Sequence, residues 1–318
     1  MIVIQDEEVR SLGLKPADFI SAVRHCFVHK PECQLPPKMS VHPKNDDFIT
    51  TMPCLLPTDT SRFGVKVVSR AKGRVPALKS DTFLYDVESG GLLAVVDSDY
   101  VTTMRTGAVA ALAVETLKKS TVRKIALMGL GNTARATVMC LSSILPPPED
   151  KYEVSLLRYK DQADLFIEAF DSLNDFHFTI ADNVTDLFGD ADVIISCITQ
   201  ADGLIADDVG IFKPGVLVVP VHTRGFQNCD PVFDKVVCDD VGHVRGFKHF
   251  NEFKNLAELG DILRGDMPGR TCEEERIVDY NIGLGLHDAY ICSMVYDAVA
   301  SRPHENIGLV HNSHKYII

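Results

Sequence analysis

A chain of 318 residues is about twice the ~150-residue norm for one domain, so two domains, or one large one, are expected. Apolar residues make up 46% and charged residues 24%, and no apolar run approaches the ~18 residues that cross a bilayer, which excludes a transmembrane helix. With 32 Lys+Arg against 44 Asp+Glu, the net charge of −12 is spread along the chain rather than gathered in a tail, which disfavours nucleic acid or anionic lipid as the main partner.

The opening residues MIVIQDEEVR have neither a basic leader nor an apolar stretch ending in small residues, so a cytoplasmic location is expected. Nine cysteines form an odd set without a C-x-x-C pair, which is neither a disulfide framework nor a zinc spacing. They read as small core residues in a reducing compartment. Pro16 sits where a first helical turn tolerates it, and Phe19, Ile20, Val23 and Phe27 follow at helical spacing, predicting an amphipathic helix over 16–29. His25 and His29 share one face of it but lack a third ligand, so they read as surface residues and no metal is expected. Residues 63–68, 82–85 and 92–96 are strand candidates, the last two flanking a Glu88-Ser89-Gly90-Gly91 turn, and point to an antiparallel, partly open sheet. Thr102 or Thr103 can then cap a long helix running to about Leu117.

From Lys124 the rhythm becomes β-α-β: a strand over 125–128, a glycine turn, a helix to Leu145, a strand over 154–157 and a helix over 163–173. Apolar runs at 176–180, 193–198, 216–221 and 236–238 continue it. Continuous apolar strands alternating with helices predict a doubly wound parallel sheet, so the fold class is α/β with a Rossmann-type domain beside an α+β domain. A last helix is expected over 286–299, and composition leaves open which domain it packs on.

Gly129-Leu130-Gly131-Asn132-Thr133-Ala134 follows a buried strand and opens a helix, the context that gives G-x-G-x-x-A its meaning as a dinucleotide fingerprint. Gly129 permits the turn, Gly131 lets a pyrophosphate approach the backbone, Ala134 keeps helix and strand close, and the N–H groups at Asn132 and Thr133 face the phosphates. Where an NAD site would place an acid after the second strand, this chain has Arg158-Tyr159-Lys160. Two cations there suit a 2′-phosphate, so NADP(H) is favoured and NAD(H) remains possible; the alternative is that both are ordinary surface cations.

Lys66 lies mid-strand on the face opposite Phe63, Val65 and Val67, and composition alone favours a solvent-facing lysine. Arg105, placed in the first turn of its helix, opposes the dipole and so predicts a carboxylate neighbour from ligand or protein. His222 closes the apolar run 216–221 at the carboxyl end of a strand, where open α/β sheets bind ligands, and an imidazole suits proton transfer near neutrality; a structural histidine is the other reading.

Several segments together resemble the ornithine cyclodeaminase and mu-crystallin family: Thr51-Met52-Pro53, Gly64-Val65-Lys66, the block from Leu92 to Asp97 leading to Met104-Arg105-Thr106-Gly107-Ala108-Val109, the glycine loop, Glu258-Leu259-Gly260-Asp261, Pro268-Gly269-Arg270-Thr271, and Gly283-Leu284-Gly285-Leu286-His287-Asp288. The resemblance implies a homodimer with a substrate and dimerisation domain over 1–118 and 286–318 and a dinucleotide domain over 119–285. It implies hydride transfer at the α-carbon of an amino acid or its imine, with Lys66 and Arg105 on the carboxylate of a small amino or imino acid. Lys38 stands where the family has another carboxylate-binding arginine, and Asp288 carries over from the family's Glu-Asp pair, in which His287 replaces the Glu. Thr50 replaces a glutamate, His222 an aspartate and Phe226 a lysine, departures that argue against the doubly cationic ornithine. The expectation is an imine reductase or amino-acid dehydrogenase in which Lys66 or His222 moves the proton. The alternatives are a redox-neutral cyclodeaminase with catalytic NAD, and a non-enzymatic NADPH-dependent binding protein, as mu-crystallin is for hormone.

Overall fold

The segments after Phe48 alternate buried and partly exposed residues with period two, as strands with one covered face do. In the computed structural model, which describes residues 1–44, 47–199, 201–304 and 307–308, β1 (Ile2–Ile4) and α1 (Asp6–Ser11) open the chain and α2 (Pro16–Val28) follows. Then come β2 (Met39–Val41), β3 (Phe48–Leu55), β4 (Arg62–Arg70), β5 (Leu78–Asp86) and β6 (Leu92–Asp97). They form a six-stranded sheet of order β1-β6-β5-β4-β3-β2, antiparallel except for the β1–β6 pair. The long helix α3 (Asp99–Leu117) starts earlier than expected, because the Ser98 carbonyl already accepts from the Thr102 N–H. Arg105 therefore sits in the second turn, where the argument from the helix dipole weakens.

The second half forms β7 (Lys124–Met128), α4 (Asn132–Ile144), β8 (Tyr152–Leu157), α5 (Gln162–Phe170), β9 (Phe176–Ala181), α6 (Val184–Phe188), β10 (Val193–Ser196), β11 (Leu217–Pro220), β12 (Lys235–Cys238), α7 (Val241–Val244), β13 (Ala257–Glu258), α8 (Leu259–Arg264) and β14 (Ile277–Tyr280). All eight strands are parallel, in the order β13-β12-β14-β11-β10-β7-β8-β9. The order reverses direction between β7 and β10, so the chain makes a topological switch point at their carboxyl ends. Its apolar core gathers Phe188, Phe212, Phe226, Phe233 and Tyr280 around the central strands.

The last helix, α9 (Gly285–Val299), answers the open question: it packs on β3, β4 and β5 of the first sheet. The described residues accordingly divide into one unit of 1–14, 31–102 and 285 onward, and a second of 15–30 and 103–284. This differs from the expected boundary at 118, because α2 packs on α4 and α8 and most of α3 clusters with the second unit. The end of the expected 286–318 segment lies outside the described residues. None of the helices among the described residues is long and apolar enough to cross a membrane. None of the nine cysteines, all of them among the described residues, is in a disulfide, but Cys272 is exposed and Cys33 half-buried, so two are not core residues.

Candidate functional site

In the first unit, Gly64 and Lys66 point from β4 toward α9. Gly64 has no room for a side chain, since a Cβ there would collide with that of Ala289, and this close approach brings Asp288, one residue earlier, up to Lys66. Lys66 Nζ donates to Asp288 Oδ1 at 2.6 Å, with side-chain exposures of 1% and 0%. The solvent-facing reading of Lys66 is thus corrected: a distant helix covers its face. The Thr102 hydroxyl donates to the same Asp288 oxygen at 2.8 Å and lies 2.8 Å from the Ser80 hydroxyl. A buried ion pair survives desolvation only when further hydrogen bonds complete it, as Thr102 does here. Lys38 is half-buried just before the edge strand β2. Thr50 is buried, and its hydroxyl lies 2.7 Å from that of Ser40.

In the second unit, the strand–turn–helix fingerprint is formed by β7, the loop and α4. Gly129 takes φ +77, and a Cβ there would strike the Cys197–Ile198 backbone at the end of β10, so only glycine fits. Gly131 is the N-cap of α4 and exposed, with nothing within 4 Å of where its Cβ would be. Asn132 and Thr133 begin the helix at the solvent-facing end, and Ala134 is fully buried against the strand. An open glycine approach leading to the unpaired N–H groups of a helix is a cradle of the shape a pyrophosphate fills, so these residues fit a dinucleotide. After β8, Arg158 is exposed and donates to Asp182 at 2.6 Å, with Asp164 at 3.8 Å. Lys160 takes φ +54 and lies over the Tyr159 ring. Arg158 is therefore held by two acids.

His222 follows β11, and its Nε2 lies 2.6 Å from the Ser196 hydroxyl at the end of β10. Burial pushes its pKa down to about 4, against a backbone hydrogen bond at Arg224 that raises it. A pKa near 4 places its titration below the neutral range in which an unperturbed imidazole titrates. Phe226 is buried and stacks at 6.2 Å from the His222 ring. Arg105 is 7% exposed, and its guanidinium lies against the Gly283 backbone. Within the second unit, His25 and His29 are half-buried with ring centroids 4.2 Å apart rather than surface residues.

The profile of the ornithine cyclodeaminase/mu-crystallin family matches residues 2–302. The chain belongs to this family. It is 29% identical over 280 residues to nodulation efficiency protein NfeD of Rhizobium meliloti, covering 82% of this chain and 83% of that protein. With a Delta(1)-pyrroline-2-carboxylate reductase of Bacillus cereus it shares 23% identity over 233 residues, 69% of this chain and 70% of that one. Among solved structures it is similar to Thermococcus litoralis Delta(1)-pyrroline-2-carboxylate reductase in complex with NADH and L-proline, at TM-score 0.84 and 19% identity, covering 96% of this chain and 100% of that one. It is also similar to an archaeal alanine dehydrogenase dimer with bound NAD, at TM-score 0.83 and 19% identity, covering 98% and 99%. At such identities the solved structures establish the fold.

Within this family fold the structure pairs Lys66 with Asp288 in the first unit, and places the glycine loop, Arg158, Lys160, Arg105 and His222 in the second. Two participants go beyond the sequence reading. Thr102, there only a helix cap, also holds Asp288. Ser196 ends the apolar run Val-Ile-Ile-Ser in register with Met128 of the fingerprint strand, and a lone hydroxyl closing such a run is the available signal.

Proposed function

We propose that this protein is an NAD(P)H-dependent oxidoreductase that reduces the C=N bond of an α-imino acid, with a cyclic ketimine carboxylate as the preferred class, or oxidises the matching amino acid. The observation that carries this reading is the fully buried Lys66–Asp288 pair: a lysine kept charged out of water is a costly device that suits recognition of an anionic substrate. Lys66 and Arg105 are assigned to the substrate carboxylate, with Lys38 as an auxiliary cation. Asp288, steadied by Thr102, holds the Lys66 ammonium in place. A nicotinamide cofactor held at the glycine loop would supply the hydride. For the proton, Lys66 and His222 are the two carriers, and Lys66 is favoured because the His222 ring is neutral and its Nε2 is engaged by Ser196. Thr50 and Phe226 supply no charge where a second substrate ammonium would need one, which supports an imine over a diamine. The similar reductase that binds NADH and L-proline supports the same class.

Gly129, Gly131, Asn132, Thr133 and Ala134 are assigned to the pyrophosphate. Arg158 and Lys160 support NADP(H) as the preferred cofactor, and the acids holding Arg158 narrow the preference so that NADH remains usable. The outer face of the first sheet, with Val65, Val67, Phe83 and Val95 partly exposed and Met39 and Val41 at 66% and 62%, supports self-pairing through that face. Light scattering should give about twice 35.0 kDa.

The test is to supply Δ1-pyrroline-2-carboxylate with NADPH, and separately L-ornithine with NAD, and to follow reduced nicotinamide and ammonia together. Consumption of NADPH in proportion to proline formed supports the proposal. Ammonia release from ornithine without net cofactor change would replace it with the cyclodeaminase reading.

A further inference from the structure

Arg105 does not stand alone in the second unit. Its guanidinium lies against the loop between β14 and α9, where Gly283 takes φ +97, a conformation that L side chains rarely adopt. A Cβ at that position would sit 2.9 Å from Nη1, 3.3 Å from Nη2 and 3.5 Å from Cζ of Arg105. That point is nearer to both terminal nitrogens than to Cζ, so the loop meets the guanidinium end-on, at its Nη1–Nη2 edge, and a residue without a side chain is what leaves room there. The loop is itself fixed. The Gly283 N–H donates to Asp239 Oδ2, and Asp239, fully buried just past β12, takes His243 Nδ1 on its other oxygen at 3.1 Å. The Asp239 carbonyl accepts from Lys30 Nζ at 3.0 Å, and Lys30 is anchored in turn by Asp240 at 2.7 Å and Glu258 at 2.6 Å.

We infer that Gly283 and Asp239 are positioning residues for Arg105, setting how far and at what angle its guanidinium reaches past the loop, so that two N–H groups along one of its edges can meet a carboxylate. Arginine is pre-organised for bidentate carboxylate recognition only when its plane is held, because a small rotation converts two parallel hydrogen bonds into one bent one. A carboxylate at the end of a neighbouring strand fixes the glycine through its backbone N–H. This inference rests on the reading of Arg105 as a substrate-carboxylate ligand.

The experiment compares wild type, Gly283→Ala, Asp239→Ala, Asp239→Asn and Arg105→Ala, with Δ1-pyrroline-2-carboxylate as substrate and NADPH binding measured by its fluorescence. Gly283→Ala should raise KM for the imino acid roughly ten- to a hundredfold, the range for losing one charge-assisted hydrogen bond, with the NADPH dissociation constant unchanged within about twofold. Asp239→Ala should do the same, and Asp239→Asn, which keeps an acceptor for the Gly283 N–H, should recover most of it. In an Arg105→Ala background, adding Gly283→Ala should change KM by less than about twofold, since the two act as one unit. A Gly283→Ala enzyme with wild-type KM, or a Gly283→Ala effect that persists undiminished without Arg105, overturns the inference. An Arg105→Ala enzyme with wild-type KM instead overturns the carboxylate reading itself. Thermal unfolding of each variant separates a loss of fold from a change of position, because a folded Gly283→Ala protein with an unchanged KM is decisive.

Discussion

Replacing Asp288 by alanine removes the 2.6 Å carboxylate partner of the Lys66 ammonium, which is 1% exposed beneath α9. Removing one member of a buried ion pair costs about 3–5 kcal/mol, because the remaining charge keeps its desolvation penalty without its compensation. Against a total stability of about 5–15 kcal/mol, that is a large share. At roughly 2–4 °C per kcal/mol, the melting midpoint should fall by about 6–20 °C. The chain has eight tyrosines and no tryptophan, so unfolding is best followed by far-ultraviolet circular dichroism rather than indole fluorescence. The discriminating variant is Lys66→Met with Asp288→Ala. Methionine has nearly the length of lysine without its charge, so the double variant should recover most of the stability lost by Asp288→Ala alone while remaining inactive. An Asp288→Ala protein that melts with wild type, or a double variant no more stable than the single one, would refute the view that charge compensation is what Asp288 provides.

Three further outcomes follow from the second unit. Asp182→Asn should free Arg158 and raise the ratio of NADPH to NADH affinity several-fold, whereas Arg158→Ala should bring the two affinities together; titration of both cofactors decides this, and equal wild-type affinities would end the NADP(H) assignment. His222→Ala should leave the pH profile between 5 and 8 unchanged in shape, since the ring is neutral throughout, and if His222 carries the proton its loss lowers turnover by ~10²–10⁴. Unchanged turnover per folded molecule would assign His222 to structure. Asp279 is fully buried, and burial together with the Asp239 charge raises its pKa to about 7. Its folded pKa lies above the unfolded one, so its contribution to stability is complete below about pH 4 and is lost as pH rises through about 7. Asp279→Asn should therefore stabilise the protein at pH 8 by on the order of 4 kcal/mol and flatten that slope, and denaturant unfolding at pH 5 and pH 8 measures it.

How far the sequence carried depended on whether a signal was local. The dinucleotide loop was fully legible, because Gly129, Gly131 and Ala134 each meet a constraint set by the adjoining strand and helix. The continuous apolar runs gave most of the parallel strands for the same reason. β14 escaped notice because Asp279 interrupts its apolar pattern, and β13 is only two residues long. Lys66 was recognisable as an oddity, but a strand carries no information about which of its faces a helix from the far end of the chain will cover. Arg158 could be read as a phosphate ligand from its position, whereas the acid that holds it, Asp182, follows a different strand. The placing of His222 at a strand end was legible. Its neutrality was not, because that follows from burial.

The Lys66–Asp288 bond joins residues 222 positions apart, and this has a consequence for how the protein is made. During synthesis, the strands of the first sheet leave the ribosome long before α9 exists, so Lys66 has neither its counter-ion nor its cover. A sheet that closed then would enclose an uncompensated charge, and the emerging chain has reason to keep that region open. The parallel sheet, whose strands lie between, can complete its own pairing first. The earliest unit in sequence is thus the last to mature, and a nascent chain arrested just short of α9 should expose its first unit to proteases while the second resists them.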